Sequence, residues 1–381
     1  MFWRKLKKIF LILVNLEFSI PKKNKIFLVS SDEFAFLEKL LKNKFQILNR
    51  NKFNFYILIL LLIKKKNLSK NFHLNYLEIY LSFMNARVLI STIDNNPIYW
   101  LIKNRIPKLK VLIIQNGWRY KEGDIFEHKN LIYNKDFKVD YFFTFNHSIS
   151  KIYSKYIKAK FIEIGSYRNN QNLIRKKTKN NKVLFISEFI NLKKKFEKKE
   201  NINLENFYFE PETILLPHLK KICIKYGLNL EVLPKTFLQN EYLFFKKYLG
   251  EKNWRFKKKI ANPYKYIDEA NIIVFMISTL GYEAIARNKK VLSFCCKGIP
   301  HFSKKKILRT FAWPVYSHKK KGFFWTNELS LKIFSKKFDS LLKINKNKWN
   351  KKISKYKDDI IIYDKNNSIL KKKISEICKN I

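Results

Sequence analysis

Short apolar runs along the chain stop at small or polar residues and give way to segments with helical spacing. KIFLVSSDEF (25–34), ARVLISTIDNN (86–96), KVLIIQNGW (110–118) and VDYFFTFNHS (139–148) have this form. So do KVLFISEF (182–189), LNLEVLPK (228–235), ANIIVFMISTLG (270–281) and KVLSFCC (290–296). Apolar runs alternating with helix-length segments predict parallel sheets covered by helices. Each strand then delivers polar residues to its carboxyl end, the edge where ligands sit in such sheets. A basic bridge, NNQNLIRKKTKNNK (169–182), separates two blocks of these units. The expected architecture is α/β, with two Rossmann-like domains at 25–175 and 182–330 facing each other across a cleft. Residues 1–24 form a basic and apolar N-terminal segment, and 331–381 a Lys-rich helical tail. FNFYILILLLI (53–63) is shorter than a membrane span needs and reads as a buried strand with a neighbouring turn.

Composition narrows the classes. A chain of 381 residues is long enough for two domains with their own cores. Its 79 Lys and Arg against 30 Asp and Glu give a net charge of +49, which attracts polyanions of any kind. Abundant Lys, Asn, Ile and Phe fit an A/T-rich coding sequence, so part of this charge is compositional. Only 10 of the basic residues are Arg, the forked side chain that reads guanine, and no zinc-finger spacing occurs. Specific nucleic-acid binding is not expected. Four cysteines without a CxxC pair fit a reducing cytosol. The start, MFWRKLKKIFLILVNLEF, mimics a signal peptide but lacks a small-residue cleavage site. With Trp3, Phe10 and its early Lys and Arg, it suits either peripheral contact with an anionic membrane or a loosely packed tail. The expected location is cytoplasmic, at the inner face of the cell membrane.

The polar strand ends carry the candidate chemistry. Asp94 follows a strand and suits a general base toward an acceptor hydroxyl, although it or Asn96 equally suits a helix cap. Asn95, Asn96, Gln115 and Asn116 supply amides for a sugar; a plain Asn-Gly turn is the competing reading for the last pair. Gly165 and Ser166 suit either a backbone approach to the cleft or a hinge, with Arg168 placed to reach across. Glu188 is a second candidate base or a ribose ligand, and Lys235 could offset diphosphate charge. The sharpest signal is MISTLGYEAI (276–285). Ser278 or Thr279 would cap a helix whose free N–H groups and dipole form an anion site. Gly281 would let a diphosphate come close, and Glu283 would meet a ribose or sugar hydroxyl; a plain capped helix is the alternative. No His pair or DxD motif suggests a metal, so metal-independent catalysis is expected.

STLGYEAIARNKKV (278–291) resembles the donor-domain motif of bacterial surface-carbohydrate biosynthesis proteins, glycosyltransferases of GT-B type that build lipopolysaccharide and capsule. ISTIDNN (90–96) with IIQNG (113–117), IEIGSYRNN (162–170) and GFFWTN (322–327) look like the same family, over roughly residues 25–330. The resemblance implies transfer of a sugar from a nucleotide-sugar donor, a substrate rather than a cofactor, to a glycan or lipid-linked glycan acceptor. Ser278, Thr279 and Glu283 would then contact the donor nucleotide or its phosphates. Asp94, Asn95, Asn96, Gln115 and Asn116 would face the acceptor, while Arg168 and Lys235 would hold anionic groups. Asn288 stands where related helices continue with Gly, a departure that affects a turn. Two alternatives remain: a nucleotide-sugar 2-epimerase, against which the lack of a histidine at a strand end counts, and a non-catalytic polyanion- or glycan-binding protein.

Overall fold

A computed structural model describes residues 13–29, 45–48, 52–64, 71–119, 125, 136–175, 181–191, 208–299, 307–308 and 321–379. Most of the N-terminal segment expected at a membrane (residues 1–12) and the centre of the basic bridge (176–180) lie outside the described residues.

Two six-stranded parallel sheets organise the chain. The first holds β1 (Ile26–Val29), β2 (Gln46–Ile47), β3 (Val88–Ser91), β4 (Lys110–Ile114), β5 (Lys138–Thr144) and β6 (Lys158–Glu163), in the order β2-β1-β3-β4-β5-β6. The second holds β7 (Lys182–Ile186), β8 (Asn229–Leu233), β9 (Arg255–Phe256), β10 (Ile272–Phe275), β11 (Lys290–Phe294) and β12 (Trp325–Thr326), in the order β9-β8-β7-β10-β11-β12. Strand order reverses between β1 and β3 in the first sheet and between β7 and β10 in the second. Those are the points where doubly wound sheets open a crevice for a ligand.

The strands are apolar on both faces because both faces are covered. In the first sheet Phe27, Leu89, Val111 and Ile113 belong to one buried cluster, and Ile26, Leu28, Val88, Ile90 and Leu112 to another. The second cluster is completed by Leu370 and Ile374 of the C-terminal helix Ser368–Cys378. The tail therefore serves both halves. Helices Leu331–Lys343 and Lys346–Ile360 bury Phe334, Phe338, Trp349 and Ile353 in the core of the second sheet, and the chain then returns to the first. On its way Ile362 donates to the Phe145 carbonyl (3.3 Å), and Asp364 N–H donates to Asn170 Oδ1 (3.1 Å). Gly165 lies at φ +70°, and a Cβ there would stand 2.0 Å from the Ile362 oxygen. A positive φ and the passing tail both require glycine.

Residues 53–63 depart from the expected buried strand. Only Phe53–Asn54 is extended, and Phe55–Ile63 is a helix. Asn54 caps it by accepting from Ile57 N–H, and Ile57 and Leu61, one turn apart, form its buried face. A short, continuously apolar run fits strand and helix equally; here the cap and the four-residue spacing decide.

Candidate functional site

In the second domain Glu188 follows β7 and Ile277 follows β10, so the two flank the switch point. Glu188 Oε1 accepts the Ile277 N–H at 2.5 Å, which pins the end of β10 to the end of β7. The helix Thr279–Ala286 begins immediately afterwards, with Ser278 at its N-cap and no side-chain cap hydrogen bond. Ser278 and Thr279 are half-buried. Gly281 has a different role from the one expected. A Cβ there would stand 2.2 Å from the Phe275 ring, so its small size lets helix and strand pack rather than admitting a diphosphate. Gly281→Ala should cost about 1–3 kcal/mol of stability by overpacking, read from chemical denaturation. After β8, Lys235 is exposed. Its N–H, with those of Thr236 and Phe237, donates to the buried Glu241 carboxylate at 2.8–2.9 Å, which holds the turn.

In the first domain Asp94 lies beyond β3 at the other switch point and is fully buried. Arg119 grips it with Nε (2.8 Å to Oδ2) and Nη2, and Tyr153 OH donates to Oδ2 at 2.7 Å. Asn116 N–H reaches Oδ1 at 3.4 Å. Asp94 is thus enclosed and occupied, which removes it from contact with an acceptor hydroxyl and makes it the anchor of Arg119. Asn95 is exposed, while Asn96 accepts from Ile98 N–H (3.1 Å) at the start of the next helix. Gln115 is buried and braces two loops, donating to Gly117 O and accepting from Phe145 N–H, both at 2.9 Å. His147 opens the helix after β5, exposed and 3.1 Å from Glu163 at the end of β6. A histidine does stand at a strand end, so that objection to an epimerase falls.

The two edges meet. Trp118 N–H donates to Thr279 Oγ1 at 2.9 Å, and the Trp118 ring stacks on Tyr282 with centroids 4.4 Å apart. Ser166 Oγ donates to Glu283 Oε1, and Tyr264 OH donates to Oε2 at 2.9 Å. Glu283 therefore joins the domains, with both oxygens engaged. Burial pushes its carboxyl above the usual range, against the hydrogen bonds from Ser166 and Tyr264 and the charges of Arg168 and Arg287. Arg287 completes the clasp. It grips Asp268 with Nε (2.8 Å) and Nη2 (2.5 Å) and donates from Nη1 to Asn169 Oδ1 (3.0 Å) and the Asn172 carbonyl (2.9 Å) of the first domain's end. Arg168 is half-buried beside the Tyr167 ring. Asn288, at φ 57°, takes the left-handed turn after the helix, where Asn substitutes for Gly.

Sequence reasoning missed Arg287, Asp268, Trp118 as an interdomain contact, and a buried pair above β11. In that pair Lys297 bonds Glu212 and lies 3.7 Å from the Tyr208 ring centre. Burial lifts Glu212 to about 7 despite Lys297. The folded state then holds a proton that the unfolded chain releases, so this group's contribution declines as pH rises from about 4.5 to 7. Stability of Glu212→Gln, followed by denaturation, should vary less across that window than stability of the unaltered chain. Among the described residues, no group of three or more His, Cys, Asp or Glu is placed to hold a metal. No helix among them is long and apolar enough to cross a membrane.

Two doubly wound domains meeting at their carboxyl edges, with the C-terminal helix returned to the first, define a protein of GT-B fold. The chain belongs to the family described as "putative O-antigen biosynthesis protein", whose model matches residues 112–377. That match includes the helical tail, which the resemblance in sequence had left outside. A variant of the wall teichoic acid polymerase TagF is similar in structure at 12% identity and TM-score 0.55, covering 94% of this chain and 89% of that one. S. aureus MnaA, solved with UDP, is similar at 12% identity and TM-score 0.53, covering 94% and 98%. The "putative UDP-N-acetylglucosamine 2-epimerase" of Listeria monocytogenes is similar at 10% identity and TM-score 0.52, covering 94% and 98%. At these identities the likeness is one of fold. No match was found among curated protein sequences.

Proposed function

We propose that the protein transfers a sugar from a nucleotide-activated donor to a lipopolysaccharide or other surface-glycan precursor at the cytoplasmic face of the membrane. The observation that carries this reading is the meeting of the two sheets' carboxyl edges at the start of helix Thr279–Ala286, which no side chain caps. An uncapped helix start favours an anion through its N–H groups and dipole. Family membership in O-antigen biosynthesis, and a GT-B neighbour solved with UDP, support the same class of substrate.

In this reading the donor diphosphate rests at Ser278 and Thr279, with Lys235 and Arg168 offsetting its charge. Asn95, Asn96 and Asn116 face the acceptor, while Asp94 acts through Arg119. Glu188, 6% exposed at the second switch point, takes the proton of the acceptor hydroxyl after the cleft opens to admit the substrates. The acceptor oxygen then bonds the anomeric carbon, and the bond to the diphosphate breaks with its electron pair on the leaving oxygen. Leaving-group charge is met by the helix and the basic side chains. Transfer should therefore persist in a chelator. Lys235→Ala should weaken donor binding by about tenfold, in line with loss of one charge-assisted contact, measured by titration of the nucleotide-sugar.

His147 beside Glu163 favours a second reading, a nucleotide-sugar 2-epimerase, because inversion at a sugar carbon needs acid and base groups. A thermal-shift screen, CDP- and UDP-linked sugars first, followed by product analysis with a lipid-linked acceptor, separates the two. Complete conversion of a nucleotide-sugar without acceptor would overturn the transferase.

A further inference from the structure

The helix Phe55–Ile63 contradicts the usual division of a surface helix into apolar and polar faces. Its inner face buries Ile57 and Leu61, yet its outer face carries Ile59, Leu62 (56% exposed) and Ile63 (68% exposed), with no acidic residue on the helix. A helix apolar all round belongs in a core or against lipid. Beside it runs the segment Leu16–Ile20. Leu16 and Glu17 pair with Phe53 and Asn54 as parallel strands, Asn54 Nδ2 donates to the Ser19 carbonyl at 2.7 Å, and the Phe18 and Phe55 rings lie 5.3 Å apart. Phe18 and Ile20 are 64% and 69% exposed, so the two segments present one continuous apolar face. Soluble proteins rarely leave such a face uncovered without a partner.

Charge indicates the partner. Lys22 and Lys23 follow Ile20 along the chain, Lys52 precedes Phe53 and Lys64 follows Ile63, and all four are exposed. The acid within it, Glu17, is paired with Lys52 at 2.8 Å. An apolar face flanked by ammonium groups on a chain of net charge +49 complements an anionic bilayer. The helix has 9 residues, so it lies in the interface rather than spanning it. Position adds a further reason. Helix Phe72–Phe83 leads back into β3, so its start lies at the carboxyl edge of the first sheet, and Phe53 packs on Phe72 there at 5.6 Å. The face adjoins the edge assigned above to the acceptor.

We propose that residues 13–20 and 55–63 form a docking surface for an anionic lipid bilayer, seating the first domain where a lipid-linked acceptor emerges. The purpose of the docking rests on the transferase reading; the surface itself does not. The test is flotation of the full-length protein with vesicles of phosphatidylglycerol and phosphatidylcholine, and with phosphatidylcholine alone. It is run at low salt and at about 0.5 M salt, where screening removes most of the attraction due to net charge alone. The protein is expected to float with the anionic vesicles and to retain part of that binding at high salt. The triple variant Ile59→Ser, Leu62→Ser, Ile63→Ser should lose about tenfold or more of the salt-resistant binding. Its response to nucleotide-sugar in thermal shift should stay unchanged, which separates failure of docking from failure of the donor site. Phe18→Ser with Ile20→Ser, on the neighbouring segment, should act alike and guards against a folding defect in the triple variant. Equal salt-resistant binding by variants and unaltered protein would overturn the proposal, as would no vesicle binding at all. A dimer in light scattering that the triple variant dissolves would assign the face to a second copy instead.

Discussion

Replacing Asp94 with alanine is expected to lower the unfolding free energy by about 3–5 kcal/mol, because it removes the carboxylate that a buried guanidinium grips with two of its nitrogens. Asp94 meets Arg119 with both oxygens while also accepting from Tyr153. Tyr153 cannot replace that negative charge. The measurement is urea denaturation, with the midpoint falling at constant slope if the native and unfolded states stay equally compact. A double replacement, Asp94→Asn with Arg119→Met, should recover much of the loss, since neutral groups of similar size remove the buried charge. A single variant of unchanged stability would return Asp94 to the role of an accessible carboxylate.

The largest effect on activity is expected at Glu188. Glu188→Gln should lower transfer by about 10²–10⁴-fold, the usual contribution of a positioned acid–base group. Glutamine retains a carbonyl oxygen where Glu188 Oε1 accepts the Ile277 N–H, so the join between β7 and β10 survives. Donor binding in thermal shift should be kept while turnover falls, which distinguishes proton transfer from support of the fold. If donor binding and turnover fall together, Glu188 is structural and the base lies elsewhere.

The fold was legible because parallel strands are apolar on both faces, and each run ends where helix or loop must take over. The polar residues at those ends correctly marked the carboxyl edges of both sheets. Their partners were not legible, because those are set by how the domains meet. Glu283 reads as an accessible carboxylate one turn into a helix; in three dimensions Ser166 and Tyr264 claim it from two directions. Gly281 reads as room for a ligand until Phe275 is placed beside it. Arg119 and Arg287 did carry a signal. In a chain with only 10 arginines among 79 basic residues, both occupy buried two-pronged pairs with aspartate, where lysine's single ammonium cannot replace the fork. Scarcity of Arg argues against guanine recognition and also marks where geometry, rather than charge alone, is needed.

Transfer of a donor sugar onto a separate acceptor is decided by incubating the purified chain with a nucleotide-sugar that stabilises it, with and without a lipid-linked glycan acceptor, and weighing both products. Nucleotide is expected to be released only when acceptor is present, with the acceptor gaining the mass of one sugar. Conversion of the nucleotide-sugar at the same rate without acceptor, leaving the acceptor mass unchanged, would contradict it.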